Sequence, residues 1–384
     1  MRAESLYIHL PFCQTKCHYC DFVVRVLHHS EQIDRYLRHL ELEIQAISSH
    51  CSALKTLYLG GGTPSILNLE QIQKLGQILQ KHLELSQAQE WTLEVNPEQA
   101  QTERLKAWQD LGVNRLSLGV QSFDPILLAE CGREHELKDI EQAILNFECA
   151  GFDNFSLDLI YGLPGQSLQS WQTTLNQALS YQPRHVSLYA LEVHARTYFG
   201  HRHQTLDLQL PDEDLAADMY EMACDALKRG GLNHYEIANW GVNGFESQHN
   251  QVYWQNLPFA AVGVGAHGYL NRRRYGNPDN LLRYYQQCRL ADWAWQQTPP
   301  QVLSEAIEET VFLGLRRLQA GLDLDLFAKR FGIELTDVYP VILRELLEQG
   351  YLIQSGRILR LNPETVLQSN LIFCQFLDPI LPGS

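Results

Sequence analysis

Six times in its first 230 residues the chain follows a short apolar run with an amphipathic stretch, and this alternation narrows the fold more than any other feature. "SLYIHL" leads into a helical pattern from about Ser30 to Ser49, "TLYLGGG" into "LEQIQKLGQILQKHL", and "WTLEVNP" into "TERLKAWQDLG". "NRLSLGV" leads into helices near 124–150, "NFSLDLIYGLPG" into "LQSWQTTLNQALS", and "HVSLYALEV" into a long helix over 212–230. The runs read as apolar almost throughout, as strands covered on both faces do, and the stretches after them repeat apolar residues at helical spacing. Parallel strands joined by right-handed helical crossovers curl toward a barrel whose chemistry sits at the strands' C-terminal ends. A seventh strand-like run, "YEIANW" (235–240), leads to "HNQVYW" and a glycine-rich run ending in "GVGAHGY". From about residue 300 the pattern becomes three helices, a small hairpin and a last helix. The expected fold is α/β: a partial (β/α)6-type barrel over 1–240, a connecting segment over 241–300, and a mostly helical, winged-helix-like domain over 301–384.

The formal charge is −15. Such a surface repels phosphates, so nucleic acid is not an expected partner. The C-terminal part shares the bias, with seven Lys/Arg against eleven Asp/Glu over 301–384. The longest nearly uncharged run, "FAAVGVGAHGYL", is too short and glycine-rich to span a bilayer, and the N-terminus lacks the basic and apolar regions of a signal peptide. The expected compartment is the cytoplasm.

Nine cysteines, an odd number in a chain without a secretion signal, argue against a disulfide framework. Cys51, Cys131, Cys149, Cys224, Cys288 and Cys374 are scattered singly and read as small hydrophobes. Cys13, Cys17 and Cys20 differ, because three thiols fall within eight residues of "YIHLPFCQTKCHYCDF". Structural zinc wants four ligands, commonly as two separated pairs, and no second pair exists here. Three thiolates can instead hold three irons of a [4Fe-4S] cube and leave the fourth iron open. Further candidates stand at strand ends: the glycines of "LGGGTPS", where backbone can approach a ligand closely, Glu94, Gln121 and Asp158, with Arg133 in "GREH". Taken singly, each of these side chains reads as structural. In "HNQVYW", His249 offers a neutral imidazole of the kind that ligates heme iron, with Tyr253 one turn further on and Trp254 suited to stack on a porphyrin. On chemistry alone an equal reading has Asn250 capping a helix while the aromatics pack against the barrel. His267 in "GAHGY" and the imidazoles of "HRHQ" (201–204) are competing ligands.

The order and spacing of "LYIHLPFC", "LGGGTPS", "GVNRLSLGVQSF", "GREH" and "SLDLIYGLPGQ", with CxxxCxxC and an aromatic before its last cysteine, resemble the radical S-adenosylmethionine (SAM) superfamily. The likeness runs from Tyr7 to "NLIFCQFL" and is to the branch of oxygen-independent coproporphyrinogen III oxidase and the heme chaperone HemW. It implies that Cys13, Cys17 and Cys20 ligate a [4Fe-4S] cluster whose free iron binds SAM, with Tyr19 beside the adenine. It implies that Tyr7, Gly61, Gly62, Thr63, Glu94, Gln121, Arg133 and Asp158 line the SAM pocket. Two departures separate the chain from the oxidase: Phe22 stands where the oxidase carries a further cysteine, and only twelve residues precede Cys13. "HNQVYW" matches the HNxxYW signature of HemW-type proteins, which implies that His249 helps to hold heme. The resemblance therefore implies a heme chaperone that hands heme to apo-hemoproteins, those of the respiratory chain among them, with no catalytic residue assigned. The alternative is the oxidase reaction, in which SAM is cleaved to a 5′-deoxyadenosyl radical. A homodimer and peripheral membrane contact through client proteins are left open. Val193 and His194 stand where the family carries an acidic residue and proline, which leaves the geometry near the sixth strand end unsettled.

Overall fold

A computed structural model describes residues 2–379. Strands β1 (Ala3–Leu10), β2 (Cys51–Gly61), β3 (Glu90–Val95), β4 (Arg115–Gln121), β5 (Phe155–Tyr161) and β6 (His185–Ala190) lie side by side in chain order, and every neighbouring pair is parallel. Crossover helices α1 (Glu31–Ile47), α2 (Leu69–His82), α3 (Thr102–Leu111), α4 (Leu137–Ala150), α5 (Leu168–Ser180) and α6 (Glu213–Arg229) intervene as the alternation predicts. The sheet curls without closing, which makes a partial TIM-type barrel.

Two details differ from the sequence reading. "YEIANW" does not extend the parallel set, because Ile237 and Ala238 form a turn between two short strands, β7 (Asn233–Glu236) and β8 (Asn239–Gly241). These pair antiparallel to each other and β8 pairs antiparallel to β6. The seventh parallel strand is instead β9 (Ala260–Val262), which pairs with the open side of β1 in the register Tyr7↔Ala261. Small residues and a glycine fit it there: Gly263 has φ +104°, and a Cβ on it would lie 2.5 Å from the His9 carbonyl and 2.6 Å from the Tyr36 hydroxyl.

The strands are also less uniformly apolar than they read. Leu6, Ile8, Leu57, Leu59, Leu116, Leu118, Leu157 and Leu159 are buried. The alternate positions, Ser5, Tyr7, His9, Thr56, Tyr58, Glu94, Ser117 and Asp158, lie on the opposite face and meet one another through hydrogen bonds across the barrel interior. The interior is thus polar and ready to hold a polar ligand.

The C-terminal module comprises helices Leu303–Leu315, Leu324–Phe331 and Pro340–Glu348 and a three-stranded sheet of Leu322–Asp323, Ile358–Leu361 and Leu352–Ser355. Its apolar residues Ile307, Val311 and Leu315 belong to the same contiguous core as the barrel. It also grips helix α7 (Gln248–Trp254): Arg317 Nε donates to Gln251 Oε1 at 3.0 Å, and the Arg316 guanidinium lies 4.5 Å from the Trp254 ring centre. Among the described residues no helix is long and apolar enough to cross a membrane.

Glu43 of α1 ties the edge strand in place. Wholly buried, its carboxylate accepts from Gly263 N (2.8 Å), Tyr284 Oη (2.6 Å) and Asn277 Nδ2 (2.5 Å). Burial, opposed by these donors, raises its pKa to about 7. A carboxyl whose folded pKa lies above its unfolded value holds a proton in the native state that the unfolded chain has lost, so its contribution to stability falls as pH rises from about 4.5 to 7. We therefore expect the stability difference between the native chain and Glu43→Gln, measured by urea unfolding from pH 5 to 8, to shrink by up to about 1.4 kcal/mol per pH unit across that window. A pH-independent difference would contradict the assignment.

Candidate functional site

The end of β1 runs directly into Pro11, Phe12 and Cys13. The loop that follows is closed at its base, where Arg25 N donates to Pro11 O at 2.6 Å and Leu27 N to Cys13 O at 2.8 Å. Within it, Cys20 N donates to Cys17 O at 3.2 Å in a tight turn. The loop is also strapped from far along the chain. His18 N donates to Cys131 O (2.9 Å), His18 Nδ1 to Glu130 O (2.7 Å), and Phe199 N to His18 O (3.0 Å). The His18 ring packs 4.3 Å from the Tyr198 ring. Tyr19 packs on a small apolar cluster of Leu127, Cys131, Ile160, Leu163, Phe199 and Leu208.

Burial first, and the neighbouring cysteines after it, push the Cys13 thiol up to about 12; burial likewise pushes Cys20 to about 11. Two donors are aimed at sulfur: Thr63 Oγ1 donates to Cys13 Sγ at 3.6 Å and Arg133 Nη1 to Cys17 Sγ at 3.5 Å. Hydroxyl and guanidinium donors favour thiolates, and iron binding supplies the free energy that removes the protons from such thiols. Among the described residues no group of three or more His, Cys, Asp or Glu side chains is placed to hold a single metal ion. A cube makes no such demand, since its three thiolates bind three separate corners. The donor set fits an iron–sulfur cluster.

The "GGGTP" segment is pinned to the cysteine strand, with Gly62 N donating to Leu10 O and Thr63 N to Phe12 O, both at 2.8 Å. A Cβ on Gly62 would sit 2.7 Å from Phe12 O, so only glycine lets the two segments touch. Beneath them Glu94 accepts from Gly61 N and from Tyr58 Oη, each at 3.0 Å. Burial, then the nearby Asp158 charge, raises Glu94 to about 7. Asp158 is held by Ser117 Oγ at 2.9 Å and Ser156 Oγ at 3.3 Å, and burial raises its pKa too. Tyr7 shares a 3.0 Å hydrogen bond with His9 Nδ1; since His9 Nε2 bonds the Val23 carbonyl at 2.8 Å, which can only accept, Nδ1 accepts from Tyr7. Arg133 reaches Gly119 O (2.9 Å) and Asn96 Oδ1 (3.0 Å), and Gln121, at φ +69°, packs over the same glycine. The part-buried Glu94 and Asp158 carboxyls and the part-buried Arg133 guanidinium bring charges of both signs to the mouth.

The structure thus brings Tyr7, Gly61, Gly62, Thr63, Glu94, Gln121, Arg133 and Asp158 to the barrel mouth or just inside it, beside the cysteine loop. It does not bring His249 there. His249 lies deeper in the barrel, where its ring centre is 5.4 Å from that of Tyr58, the donor to Glu94. Thr56 Oγ1 donates to Ser5 Oγ and so accepts from His249 Nδ1 at 2.8 Å, while Nε2 accepts from Tyr253 Oη at 2.8 Å. Its ring is wholly buried, and burial drops its pKa to about 3. Both nitrogens are committed, so neither is open to a heme iron, contrary to the expectation. The helix cap is also not Asn250: Ser247 accepts from Asn250 N, and the Glu90 carboxylate accepts from the backbone N–H groups of Gln248 and His249. Trp254 packs under Arg316. We expect His249→Ala, which orphans two hydroxyls and opens a cavity, to lower stability by about 2–4 kcal/mol in urea unfolding, with cluster uptake retained.

Asn96, His9 and His18 were not singled out in the sequence. Two of them carry a signal, because Asn96 follows Glu94 by two residues and His9 follows Tyr7 by two, so strand alternation puts each pair on one face. His18 has none; its contacts are to residues 112 and more positions away.

Residues 7–178 match the Radical SAM superfamily and residues 303–367 the HemN C-terminal domain. The chain is 38% identical over 380 residues, 98% of its length and all of the relative's, to the protein called heme chaperone HemW in Bacillus subtilis (strain 168). It is 36% identical, over 98% of both chains, to the protein of that name in Lactococcus lactis subsp. lactis (strain IL1403). The chain belongs to the HemW family. The fold of this HemW-family chain also superposes on the solved structure of Escherichia coli coproporphyrinogen III oxidase (HemN), with a TM-score of 0.85 and 23% identity over 98% of this chain and 90% of the other. Radical SAM membership carries with it a [4Fe-4S] cluster and SAM; we propose Cys13, Cys17 and Cys20 as the ligands of the cluster and the residues around Glu94 and Arg133 as the contacts of SAM. We expect Cys17→Ala to reduce iron after anaerobic reconstitution from about four to below one per chain without changing the circular dichroism spectrum. Glu94→Gln should weaken SAM binding by about tenfold in equilibrium dialysis, with iron content unchanged.

Proposed function

We propose that this protein is a heme chaperone that binds heme, holds a [4Fe-4S] cluster and SAM at the barrel mouth, and transfers heme to apo-hemoproteins. One observation carries the reading: likeness over the whole length to proteins named for that role, in a chain whose cysteine loop stops at three thiols. Position 22 holds a phenylalanine that is 68% exposed, where the oxidase branch places a further cysteine. When bound, the cluster supplies an iron with an open coordination position. The chain's own residues orient what binds beside it: Arg133 faces a carboxylate, Glu94 an ammonium or hydroxyls, and the glycine segment lets backbone approach closely. All nine cysteines are free, which suits a reducing cytoplasm.

Heme is cargo on this reading, and an open imidazole is a common axial ligand for its iron. His249 is closed off, whereas His267 is exposed and lies two residues after Gly265, which packs on Val23 of the cysteine loop. His201 and His203 are exposed as well. We assign the heme contact to this rim, with His267 the first residue to test, and heme-requiring respiratory proteins as clients. The test is hemin titration of the anaerobically reconstituted protein, followed by transfer to a heme-free acceptor. The expected results are a shifted Soret band, its transfer to the acceptor, and affinity lowered by about tenfold in His267→Ala but not in His249→Ala. No Soret shift would end the chaperone reading, and protoporphyrinogen formed from coproporphyrinogen in an anaerobic assay would replace it with the oxidase.

A further inference from the structure

Asn96 stands between the two side chains that touch cysteine sulfur. Its Nδ2 donates to Thr63 Oγ1 at 3.1 Å, and that hydroxyl donates to Cys13 Sγ at 3.6 Å. Its Oδ1 accepts from Arg133 Nη2 at 3.0 Å, and the other arm of the same guanidinium, Nη1, donates to Cys17 Sγ at 3.5 Å. The amide is fixed from outside: Asn96 N donates to Ser65 Oγ at 3.3 Å, Nδ2 makes a second contact to Glu98 Oε1 at 3.3 Å, and Gly119, whose added Cβ would lie 3.4 Å from Oδ1, leaves room for it. Thr63 is 3% exposed, so its hydroxyl has little water to turn to.

These bonds all run one way. Starting from the Arg133 cation, each group donates to the next: guanidinium to amide oxygen, amide N–H to hydroxyl oxygen, hydroxyl to sulfur. In a chain of that sense every donor polarises the one after it, and hydrogen bonds from charged donors are stronger than neutral ones. Donors at a thiolate withdraw electron density, and hydrogen bonding to cluster sulfurs is a principal lever on reduction potential.

We propose that Asn96 is a positioning residue for the cluster: its amide orients the Thr63 hydroxyl toward Cys13 and the Arg133 fork toward Cys17, and thereby raises the reduction potential of the bound cluster. Asparagine is the side chain that fits, because the position needs one acceptor facing Arg133 and one donor facing Thr63. Aspartate has no donor. It would accept a hydrogen bond from the Thr63 hydroxyl, turn that hydroxyl away from Cys13, and add negative charge beside the cluster. Alanine removes the relay without adding charge.

The inference rests on the cluster-binding part of the proposed function, and the experiment separates the two. Native protein, Asn96→Ala, Asn96→Asp and Thr63→Val are reconstituted anaerobically without SAM, assayed for iron, and titrated to the cluster's midpoint potential. We expect iron content near native in each and a negative shift in all three variants. The largest shift should be in Asn96→Asp: roughly a tenfold displacement of the reduction equilibrium, about 59 mV for a one-electron couple. A general loosening of the fold would lower iron content and leave no such order among the variants. A loaded Asn96→Asp with an unmoved potential overturns the proposal; if that variant fails to load, an unmoved potential in Thr63→Val overturns it. A native chain that takes up no cluster overturns this proposal and the cluster reading together.

Discussion

The parallel pairing of β1 on both sides is the constraint on which the site depends. Between β2 and β9 the strand has no freedom to slide, since a slip of one residue would turn Ser5, Tyr7 and His9 into the leucine-lined layer under the helices. Its end therefore delivers Cys13 to a fixed point. The same register sets Leu10 beside Gly61 and so brings the glycine segment against the base of the cysteine loop. Glu43 holds β9 in place from the helix side, so a buried carboxyl outside the cysteine loop helps to define where the first thiol stands.

Electrostatically, the mouth is a place where charge is withheld until something arrives. Burial raises the pKa of both Glu94 and Asp158, that of Glu94 to about 7. Cys13 and Cys20 are thiols that burial keeps protonated. Iron at the sulfurs and a cation beside Glu94 would each relieve that penalty, so the two binding events draw on the same desolvated space. Arg133 is the exception, a part-buried cation held by a carbonyl, an amide oxygen, a sulfur and the His135 ring.

Much of this was legible in the sequence, and what was not has physical reasons. The six βα units follow from periodicity, and the cysteine spacing singles out its loop without help from the fold. Strand alternation could have exposed Asn96 and His9, because a residue two positions from a site residue shares its face. The edge strand Ala260–Val262 was hidden because it is only three residues long, two of them alanines of low strand propensity, and leads into a glycine-rich run; the groove alongside β1 makes it a strand. His249 misled for another reason. An imidazole in an aromatic motif looks the same whether its nitrogens are open or already bonded, and the partners that close it, Thr56 and Tyr253, include one 193 residues away. Long-range satisfaction of polar atoms is what a linear reading cannot count.

The strap across the cysteine loop has a consequence for biogenesis. Cys13, Cys17 and Cys20 are translated ahead of the groups that lock their loop, since Glu130, Cys131 and Phe199 follow them by more than a hundred residues. Until then the three sulfurs sit on an unsecured tether, open to any oxidant or stray ion. The geometry of the loop is in this way coupled to synthesis and docking of the segments near residues 130 and 199, so the three sulfurs reach their native arrangement only once most of the barrel is made.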